Sequence, residues 1–312
     1  MSCTNKKKIL EIEELSVSFL QYKGKTSRQS WLPVISGLSV AVREGELVAV
    51  VGSSGSGKSL LAHAILGILP YNANVSGTMK FQGELMDEKK ISELRGKEIA
   101  FVPQSTLYLD PLMKVGEQVR RGQKDRESVM RCRQSMGRYG LGEDTEELYP
   151  FELSGGMTRR VLISTAVMEH PRLVIADEPT PGLHLKAAKR AMEHFRELAD
   201  MGAGVLIITH DLELALETAD RVLVFYAGYT LEDAKTEDFR QEKTLRHPYT
   251  KALWRAMPQN GFHYIDGVQP YVKDMPEGCP FAPRCEKCTE KCRGEIPYRE
   301  VNGGYVRCVY DS

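Results

Sequence analysis

The chain has 312 residues, and its 42 basic residues (Lys and Arg) balance its 42 acidic ones (Asp and Glu), so the formal net charge at pH 7 is zero. A nucleic-acid partner usually leaves a basic excess, so none is predicted. Hydrophobic residues make up 42% of the chain, as in a globular protein with a core. The start lacks the pattern of a signal peptide, and no apolar run approaches the roughly 18 residues of a membrane helix. We therefore expect an intracellular protein that reaches a membrane only through its partners.

The first part of the chain predicts strands. Alternating apolar residues indicate strands over 9–19 and 34–42, with a polar, turn-like segment over 20–30 between them. Two aromatic residues, Phe19 and Tyr22, lie near the end of the first strand, where a ring could stack on an adenine base. Core packing of Phe19 and simple surface exposure of Tyr22 are the alternatives. We name Tyr22 as the nucleotide-binding candidate.

A glycine-rich loop follows the buried apolar run 47–51 and precedes an apolar helix. Its sequence over 52–59 fits the phosphate-binding pattern G-x-x-x-x-G-K-[ST]. Glycines let successive backbone N–H groups point at phosphate oxygens, and the helix N-terminus adds partial positive charge. Lys58 would reach the β- and γ-phosphates, and the Ser59 hydroxyl would bind Mg²⁺. The nucleotide-binding residues predicted in this loop are Gly52, Ser53, Gly55, Ser56, Gly57, Lys58 and Ser59.

Short strands are predicted between this helix and the middle of the chain. The helix itself is expected to end at Pro70. The segment 75–85 indicates short strands around the turn residues Gly77 and Gly83, and the apolar segment 98–102 indicates a further strand.

The composition then changes to that of an inserted helical subdomain, which we place at about 105–165. Charge rises there, and β-branched residues become fewer. Near its end, Ser154 is predicted to cap a helix that begins with Gly155 and Gly156. The exposed N–H groups of that first turn form a second anion site.

Two buried strands end in polar groups. The strand 173–178 ends in Asp177 and Glu178, and the strand 204–209 is followed by His210. Near-continuous apolar strands indicate a parallel sheet covered on both faces, and such folds bind ligands at the carboxyl ends of their strands. Asp177 is placed to hold Mg²⁺ and Glu178 to polarise an attacking water; a helix-capping acid pair is the alternative.

The remaining elements complete an α/β fold. Helices are predicted over 185–199 and 211–219, and 221–226 is predicted to be the last strand of the sheet. A short helix then begins near His247 and ends at Ala256, and a tail rich in proline and glycine follows. We divide the chain into a nucleotide-binding domain, 1–240, and a C-terminal extension, 241–312.

The order of these motifs resembles that of the ATP-binding subunit of ATP-binding-cassette (ABC) transporters. The loop 52–59, Gln104, the segment 153–157, the Asp177–Glu178 pair and His210 are similar to its Walker A, Q-loop, signature, Walker B and switch-histidine motifs. The resemblance covers about residues 9–235. It implies an ABC-type nucleotide-binding domain with a mostly parallel core sheet, an antiparallel β subdomain and the helical subdomain.

The end of the chain resembles one subfamily. The segments 247–253 and 279–285 are similar to the C-terminal extension of peptide and nickel importers, and Met157 fits that subfamily because most cassettes carry Gln there. The resemblance implies an ATPase that energises uptake of short peptides or nickel complexes. It also implies a second homologous ATPase subunit, with a heterodimer preferred, two membrane permease subunits, and indirectly an extracytoplasmic substrate-binding protein. The chain would then lie at the cytoplasmic face of the membrane.

The resemblance also implies roles for individual residues. Two subunits would sandwich two ATP molecules, each between one subunit's phosphate loop and the other's signature. Glu178 would be the general base, His210 would contact the γ-phosphate, and Gln104 would sense that phosphate, help bind Mg²⁺ and touch a permease helix. Asp177 would hold Mg²⁺ through water. Three signature residues would serve the partner's ATP: Ser154, Gly155 and Gly156.

One position departs from the family pattern. His184 stands where the D-loop usually has the aspartate that bridges the two subunits. Tolerated subfamily variation is the preferred explanation. An asymmetric pair of ATP sites is the alternative, and it predicts that His184→Asp raises the ATPase activity of the assembled transporter.

A cysteine cluster lies in the extension. Cys279, Cys285, Cys292 and Cys308 have the spacing C-x5-C-x6-C-x15-C, with Cys288 in addition. A single zinc prefers closer pairs, such as Cys285 and Cys288, and four thiolates suit an iron–sulfur cluster. The pattern resembles that of peptide-importer ATPases, some of which hold a four-iron four-sulfur cluster. Zinc and free thiols remain alternatives.

A soluble ABC ATPase that is not coupled to transport, for example one acting in cluster assembly, is the second functional hypothesis. Repair ATPases insert long coiled coils between phosphate loop and signature, and this interval has no sustained heptads. A cluster-assembly ATPase would not explain the His-Pro-Tyr motif of the extension. A non-catalytic subunit conflicts with the presence of both Glu178 and His210.

Overall fold

The structure is a computed structural model that describes residues 6–22 and 29–310. Within these segments the strands are β1 (Lys8–Tyr22), β2 (Gln29–Arg43), β3 (Leu47–Val51), β4 (Ala73–Phe81), β5 (Glu84–Leu85), β6 (Ile99–Val102), β7 (Leu173–Asp177), β8 (Gly204–Thr209), β9 (Arg221–Tyr226), β10 (Tyr229–Lys235), β11 (Arg299–Val301) and β12 (Gly304–Val306). The α-helices are α1 (Lys58–Ile65), α2 (Glu88–Leu94), α3 (Val115–Val119), α4 (Arg126–Arg138), α5 (Gly155–Val167), α6 (Leu185–Asp200), α7 (Leu212–Thr218) and α8 (Pro248–Ala256). None of these helices has the length and apolar character needed to cross a bilayer.

An eight-stranded sheet forms the centre of the molecule, in the order β11-β12-β10-β9-β3-β8-β7-β6. The five strands from β9 to β6 are parallel, and the other three are antiparallel. Successive side chains of a strand point to opposite faces. Leu47, Ala49 and Val51 accordingly pack on one face, and Val48 and Val50 on the other, within two large hydrophobic clusters. The prediction of a mostly parallel sheet covered on both faces is confirmed.

The two faces of the sheet carry different elements. One face packs against α1 and an antiparallel sheet of order β2-β1-β4-β5. The other packs against α5, α6 and α7, and also against apolar residues of the extension such as Phe281 and Ile296. A separate core joins α3, α4 and α5, where Val119, Cys132 and Val161 are buried. The predicted antiparallel and helical parts of the ABC-type fold are therefore both present.

The C-terminal extension is fastened to the central sheet through β10. Strand β12 pairs with β10, and β11 pairs with β12, so the end of the described chain forms the sheet's edge. The carboxylate of Glu232 on β10 is fully buried and accepts hydrogen bonds from the backbone N–H groups of Arg246 (2.9 Å) and His247 (2.7 Å). Arg246 Nη1 lies 3.3 Å from Glu232 Oε1, so a buried ion pair joins the two segments.

Some predicted boundaries were wrong. Helix α1 ends at Ile65 rather than Pro70, because Leu66 is its C-cap and Gly67 adopts a left-handed φ of 61°. Tyr226 does not end the sheet, since β10, β11 and β12 follow it. Strand β4 runs continuously through Gly77, which we predicted to be a turn.

The connection between the first two strands was also predicted incorrectly where the structure describes it. Strand β1 continues to Tyr22, and β2 already begins at Gln29, because these two residues pair across the hairpin. The rest of the predicted turn, 23–28, lies outside the described residues.

Candidate active site

The phosphate loop connects β3 to α1 at the carboxyl edge of the central sheet. A Cβ atom at Gly52 would lie 2.0 Å from the carbonyl oxygen of Phe225, so only glycine fits beside β9. Gly57, the N-cap of α1, adopts a left-handed φ of 96°, which a residue with a Cβ rarely adopts. The loop is therefore shaped as the sequence predicted, with a helix N-terminus directly behind it.

Lys58 is held within its own loop. Its Nζ donates hydrogen bonds to the carbonyl oxygens of Gly52 (2.8 Å) and Ser53 (2.9 Å). Burial lowers the pKa of this ammonium group, and the nearby carboxylates of Glu178 and Asp177 oppose that effect. The Lys58 cation thus lies between the loop and the two carboxylates at the end of β7, where a phosphate group would neutralise it.

Two Mg²⁺ ligand candidates are in direct contact. Ser59 Oγ donates a hydrogen bond to Asp177 Oδ1 at 3.1 Å, although the residues are 118 positions apart. Burial raises the pKa of Asp177, and the hydrogen bond from Ser59 partly offsets this. Hydroxyl and carboxylate oxygens are the ligands that Mg²⁺ prefers, so this donor set fits the ion. Gln104 is exposed just beyond β6, next to the strand that bears Asp177.

Glu178 and His210 form a second pair. Glu178 Oε2 lies 2.8 Å from His210 Nδ1. Glu178 adopts a φ of 46°, and its N–H donates to the carbonyl oxygen of Ile208 at 2.8 Å, so neighbouring β8 fixes this unusual backbone. Residues in such sparsely populated conformations cluster at active sites. The histidine side chain is 62% exposed, whereas that of the glutamate is 11% exposed.

The signature segment lies at the N-terminus of α5. Ser154 Oγ accepts a hydrogen bond from the backbone N–H of Met157 at 3.3 Å, which confirms the predicted cap. Ser154 and Gly155 are exposed, and Gly156 is partly exposed. The first turn of this helix is therefore accessible to a ligand or to another molecule.

The adenine-stacking candidates differ in their position along β1. Tyr22 pairs with Gln29 at the end of the hairpin, is 69% exposed, and its hydroxyl oxygen accepts a hydrogen bond from Gln29 Nε2 at 3.3 Å. Phe19 pairs with Leu32 and packs against the core beneath the antiparallel sheet. Val34, two residues from Leu32, approaches the phosphate loop at Gly57.

His184 has a structural role in this chain. It is the N-cap of α6, and its Nδ1 accepts a hydrogen bond from the backbone N–H of Ala187 at 3.3 Å. Capping of α6 is therefore a local structural reason for a histidine at this position of the D-loop. The effect of this residue on the symmetry of the two ATP sites stays a prediction.

The cysteines of the extension are neighbours. Cys279, Cys292 and Cys308 are buried, Cys285 is partly buried and Cys288 is exposed, and all five are free thiols. Burial raises the pKa of Cys279 to about 12, and the nearby cysteines 308, 285 and 292 raise it as well. In residues 6–22 and 29–310, no three His, Cys, Asp or Glu side chains converge closely enough to hold a metal ion.

Residues of the extension also reach the phosphate loop, which the sequence did not predict. Ser53 Oγ donates a hydrogen bond to Gln269 Oε1 at 2.5 Å. Gln269 lies in the tail rich in proline and glycine, 216 positions from Ser53, and no local pattern distinguishes it. Tyr249, part of the His-Pro-Tyr motif, is also beside Ser53; burial raises its pKa to about 12 against the opposing effect of that serine.

Fold and site together define an ATP-binding cassette. A dimeric cassette solved in a post-hydrolysis state with ADP and phosphate has a TM-score of 0.63 to this chain at 24% identity, over 73% of this chain and 98% of its own. An ABC-transporter cassette in its ADP conformation has a TM-score of 0.61 at 26% identity, over 73% of this chain and 91% of its own.

Sequence comparison defines the family. The ABC transporter family model matches residues 35–181, and that of the oligopeptide/dipeptide transporter C-terminal region matches 231–292. The oligopeptide transport ATP-binding protein OppD of Salmonella typhimurium is 32% identical over 97% of this chain and 93% of its own length. The dipeptide transport ATP-binding protein DppD of Escherichia coli is 34% identical over 97% and 96%. The chain belongs to this family of ABC-transporter ATP-binding subunits, and it is an ATPase coupled to transport.

Proposed function

We propose that this chain energises the import of short peptides by hydrolysing Mg-ATP at the interface with a second ATPase subunit. The observation that carries the proposal is the convergence of two contacts at one edge of the sheet, Ser59 with Asp177 and Glu178 with His210. The first contact supports a Mg²⁺ site beside the phosphate loop. The second supports Glu178 as the carboxylate base, with a histidine that can orient it.

The residues of this site have separate roles in hydrolysis. Lys58 and the loop N–H groups bind the phosphates, and Ser59 and Asp177 hold Mg²⁺, which neutralises charge on the β- and γ-phosphates. Glu178 accepts a proton from the attacking water at its carboxylate, and His210 holds that carboxylate in place. Gln104, at the end of β6 and close to the helical subdomain, would sense the γ-phosphate and help to bind Mg²⁺. The catalytic residues we propose are therefore Glu178, His210 and Gln104.

For adenine, the strand register favours Phe19 over Tyr22. Strand residues advance by about 3.4 Å, so Phe19, opposite Leu32, lies about 7 Å along the hairpin from Val34, which approaches the phosphate loop at Gly57. Tyr22, opposite Gln29, lies about 17 Å from the same point. The aromatic platform is thus expected at Phe19.

The exposed signature supports a dimer. Ser154, Gly155 and Gly156 would bind the ATP held by the phosphate loop of a second ATPase, preferably a different chain. Two permease subunits would join this pair to the membrane at its cytoplasmic face, and a substrate-binding protein outside would deliver peptide.

Peptides are favoured over nickel complexes as the substrate. The curated relatives described above are named for oligopeptide and dipeptide transport, and the extension matches the family region of the same name. That match also argues against a soluble ATPase uncoupled from transport, because such an ATPase would not explain the presence of this extension.

We further propose that four cysteines, 279, 285, 292 and 308, hold a structural iron–sulfur cluster. A single zinc requires its ligands to meet at one point, with Zn–S distances of about 2.3 Å. In a four-iron cluster each thiolate binds a different iron, so the ligands lie further apart. Among the described residues these thiols are neighbours but do not converge on one point, which supports the cluster over a single zinc.

The substrate proposal is tested with the chain reconstituted in proteoliposomes with its permeases, its partner ATPase and the binding protein. We expect a mixture of labelled short peptides to enter in an ATP-dependent manner and to stimulate hydrolysis. A Lys58→Ala complex is the control for ATP dependence. Stimulation by nickel complexes alone would reject peptide import, and failure of the chain to copurify with permeases would favour a soluble ATPase.

A further inference from the structure

The C-terminal extension makes a direct contact with the nucleotide-binding loop. The side-chain oxygen of Gln269 accepts one hydrogen bond from Ser53 Oγ at 2.5 Å and another from the backbone N–H of Ala227 at 3.3 Å. Ser53 is the second residue of the phosphate loop, and Ala227 directly follows β9. One amide oxygen therefore connects the loop to the strand beside it.

Ser53 is held from two sides. Its hydroxyl donates to Gln269, and its carbonyl oxygen accepts from Lys58 Nζ at 2.9 Å. Lys58 is the cation that would bind the phosphates. A change in the position of Ser53 would therefore alter the geometry of both the loop backbone and this lysine.

Arg284 holds the segment that carries Gln269. Its Nε donates to the carbonyl oxygen of Asp266 at 2.7 Å, and its Nη2 donates to that of Ile265 at 3.1 Å. Its Nη1 contacts the Tyr226 hydroxyl at 3.2 Å. Arg284 directly precedes Cys285, so it connects the cysteine-rich region to the segment that contacts the phosphate loop.

The phosphate loop and the C-terminal extension also line a common cavity. It is lined by Gly52 and Ser53 of the phosphate loop, by His210, and by Tyr249, Ile265 and Arg284 of the extension. The extension thus forms part of the wall behind the nucleotide site.

We propose that Gln269 is a positioning residue for the phosphate loop, through which the C-terminal extension sets the affinity for Mg-ATP. Gln269 acts on Ser53, and no reacting group of the site is among its contacts described above. Its removal therefore weakens nucleotide binding and leaves the chemical step unchanged. Arg284 acts in the same direction because it holds the segment 265–269.

The test is a double-mutant cycle on the full chain, measured as the dissociation constant of Mg-ATP by calorimetry. Gln269→Met retains the length of the side chain but removes the acceptor oxygen. Loss of the hydrogen bond from Ser53 alone, about 1 kcal/mol, corresponds to about fivefold weaker binding. In a Ser53→Ala background the same substitution has a smaller effect, because the contact with Ser53 is already absent and only the hydrogen bond from Ala227 is lost. Arg284→Met follows the same pattern.

Two further measurements separate positioning from general loss of structure. Gln259→Met is the matched control, since Gln259 is an exposed glutamine of the same extension, and it leaves the affinity unchanged. In the reconstituted complex, Gln269→Met raises KM for ATP and leaves kcat unchanged. If Gln269→Met does not fold, Gln269→Asn replaces it in the test. This variant withdraws the oxygen by one methylene and is expected to give the same result. Wild-type affinity in Gln269→Met, or an equal loss of affinity in the Ser53→Ala background, would overturn the proposal.

Discussion

The Glu178 carboxylate and the His210 imidazole are in direct contact, with Oε2 and Nδ1 2.8 Å apart, and they come from the ends of adjacent parallel strands. Because the ring contacts this carboxylate directly, we propose that the histidine acts on hydrolysis by orienting the base.

Replacing His210 is expected to affect turnover more than binding. His210→Ala removes the ring that orients Glu178, so we expect kcat in the reconstituted complex to fall by about 100-fold, within the range for general acid–base catalysis. The dissociation constant of Mg-ATP changes by less than about twofold, because Lys58 and the loop N–H groups remain. His263→Ala, at an exposed position of the extension, is the control. Wild-type kcat in His210→Ala would contradict the assignment.

Glu232 is expected to be essential for the attachment of the extension. Glu232→Ala leaves Arg246 without one of its buried ionic partners and two backbone N–H groups without an acceptor. Breaking a buried ion pair by removing one partner costs about 3–5 kcal/mol. We expect a much lower urea midpoint for unfolding, while Glu237→Ala, at an exposed site nearby, retains the wild-type midpoint. Equal midpoints for the two variants would refute this role.

The pH dependence of stability is expected to include a contribution from His194. This ring is buried against Tyr139, with 4.5 Å between ring centroids, and burial lowers its pKa. The fold therefore favours the neutral ring. The resulting stability is present above the unfolded pKa of about 6.5 and is lost as the pH falls below it.

The measurement is thermal unfolding at pH 7 and pH 5. His194→Phe retains an aromatic contact with Tyr139 but cannot titrate, so the decrease in unfolding temperature between the two pH values should be smaller than in the wild type. His263→Phe, at an exposed position, should retain the wild-type decrease. A wild-type decrease in His194→Phe as well would show that His194 does not contribute.

The sequence predicted the nucleotide site better than the extension, for a physical reason. Strands such as β7 and β8 are continuous apolar runs that end in polar residues, so both the strands and the polar residues at their ends were recognised. Strand β10 was missed because it contains Glu232 and Asp233, which are typical of solvent-exposed segments. Their burial depends on ion pairs with Arg246 and Arg221, which no local pattern indicates. The contact of Ser53 with Gln269 was missed for the same reason.

The metal proposal predicts different results for two cysteines. Chain purified without oxygen should contain iron and sulfide and absorb visible light, and Cys285→Ser should abolish both. Cys288→Ser, at the exposed cysteine, should retain them. Because metal binding requires deprotonated thiolates, iron should be lost as the pH falls. A colourless, iron-free protein with one bound zinc would contradict the cluster.

Hydrolysis by Glu178→Gln tests the central claim most directly. Turnover is measured in the reconstituted transporter whose partner ATPase lacks its own general base, so that the partner's site does not contribute. The substitution retains the size of the side chain but removes its ability to accept a proton, so we predict at least about a 100-fold fall in kcat with Mg-ATP binding retained. An unchanged rate of hydrolysis would contradict the assignment of Glu178 as the base.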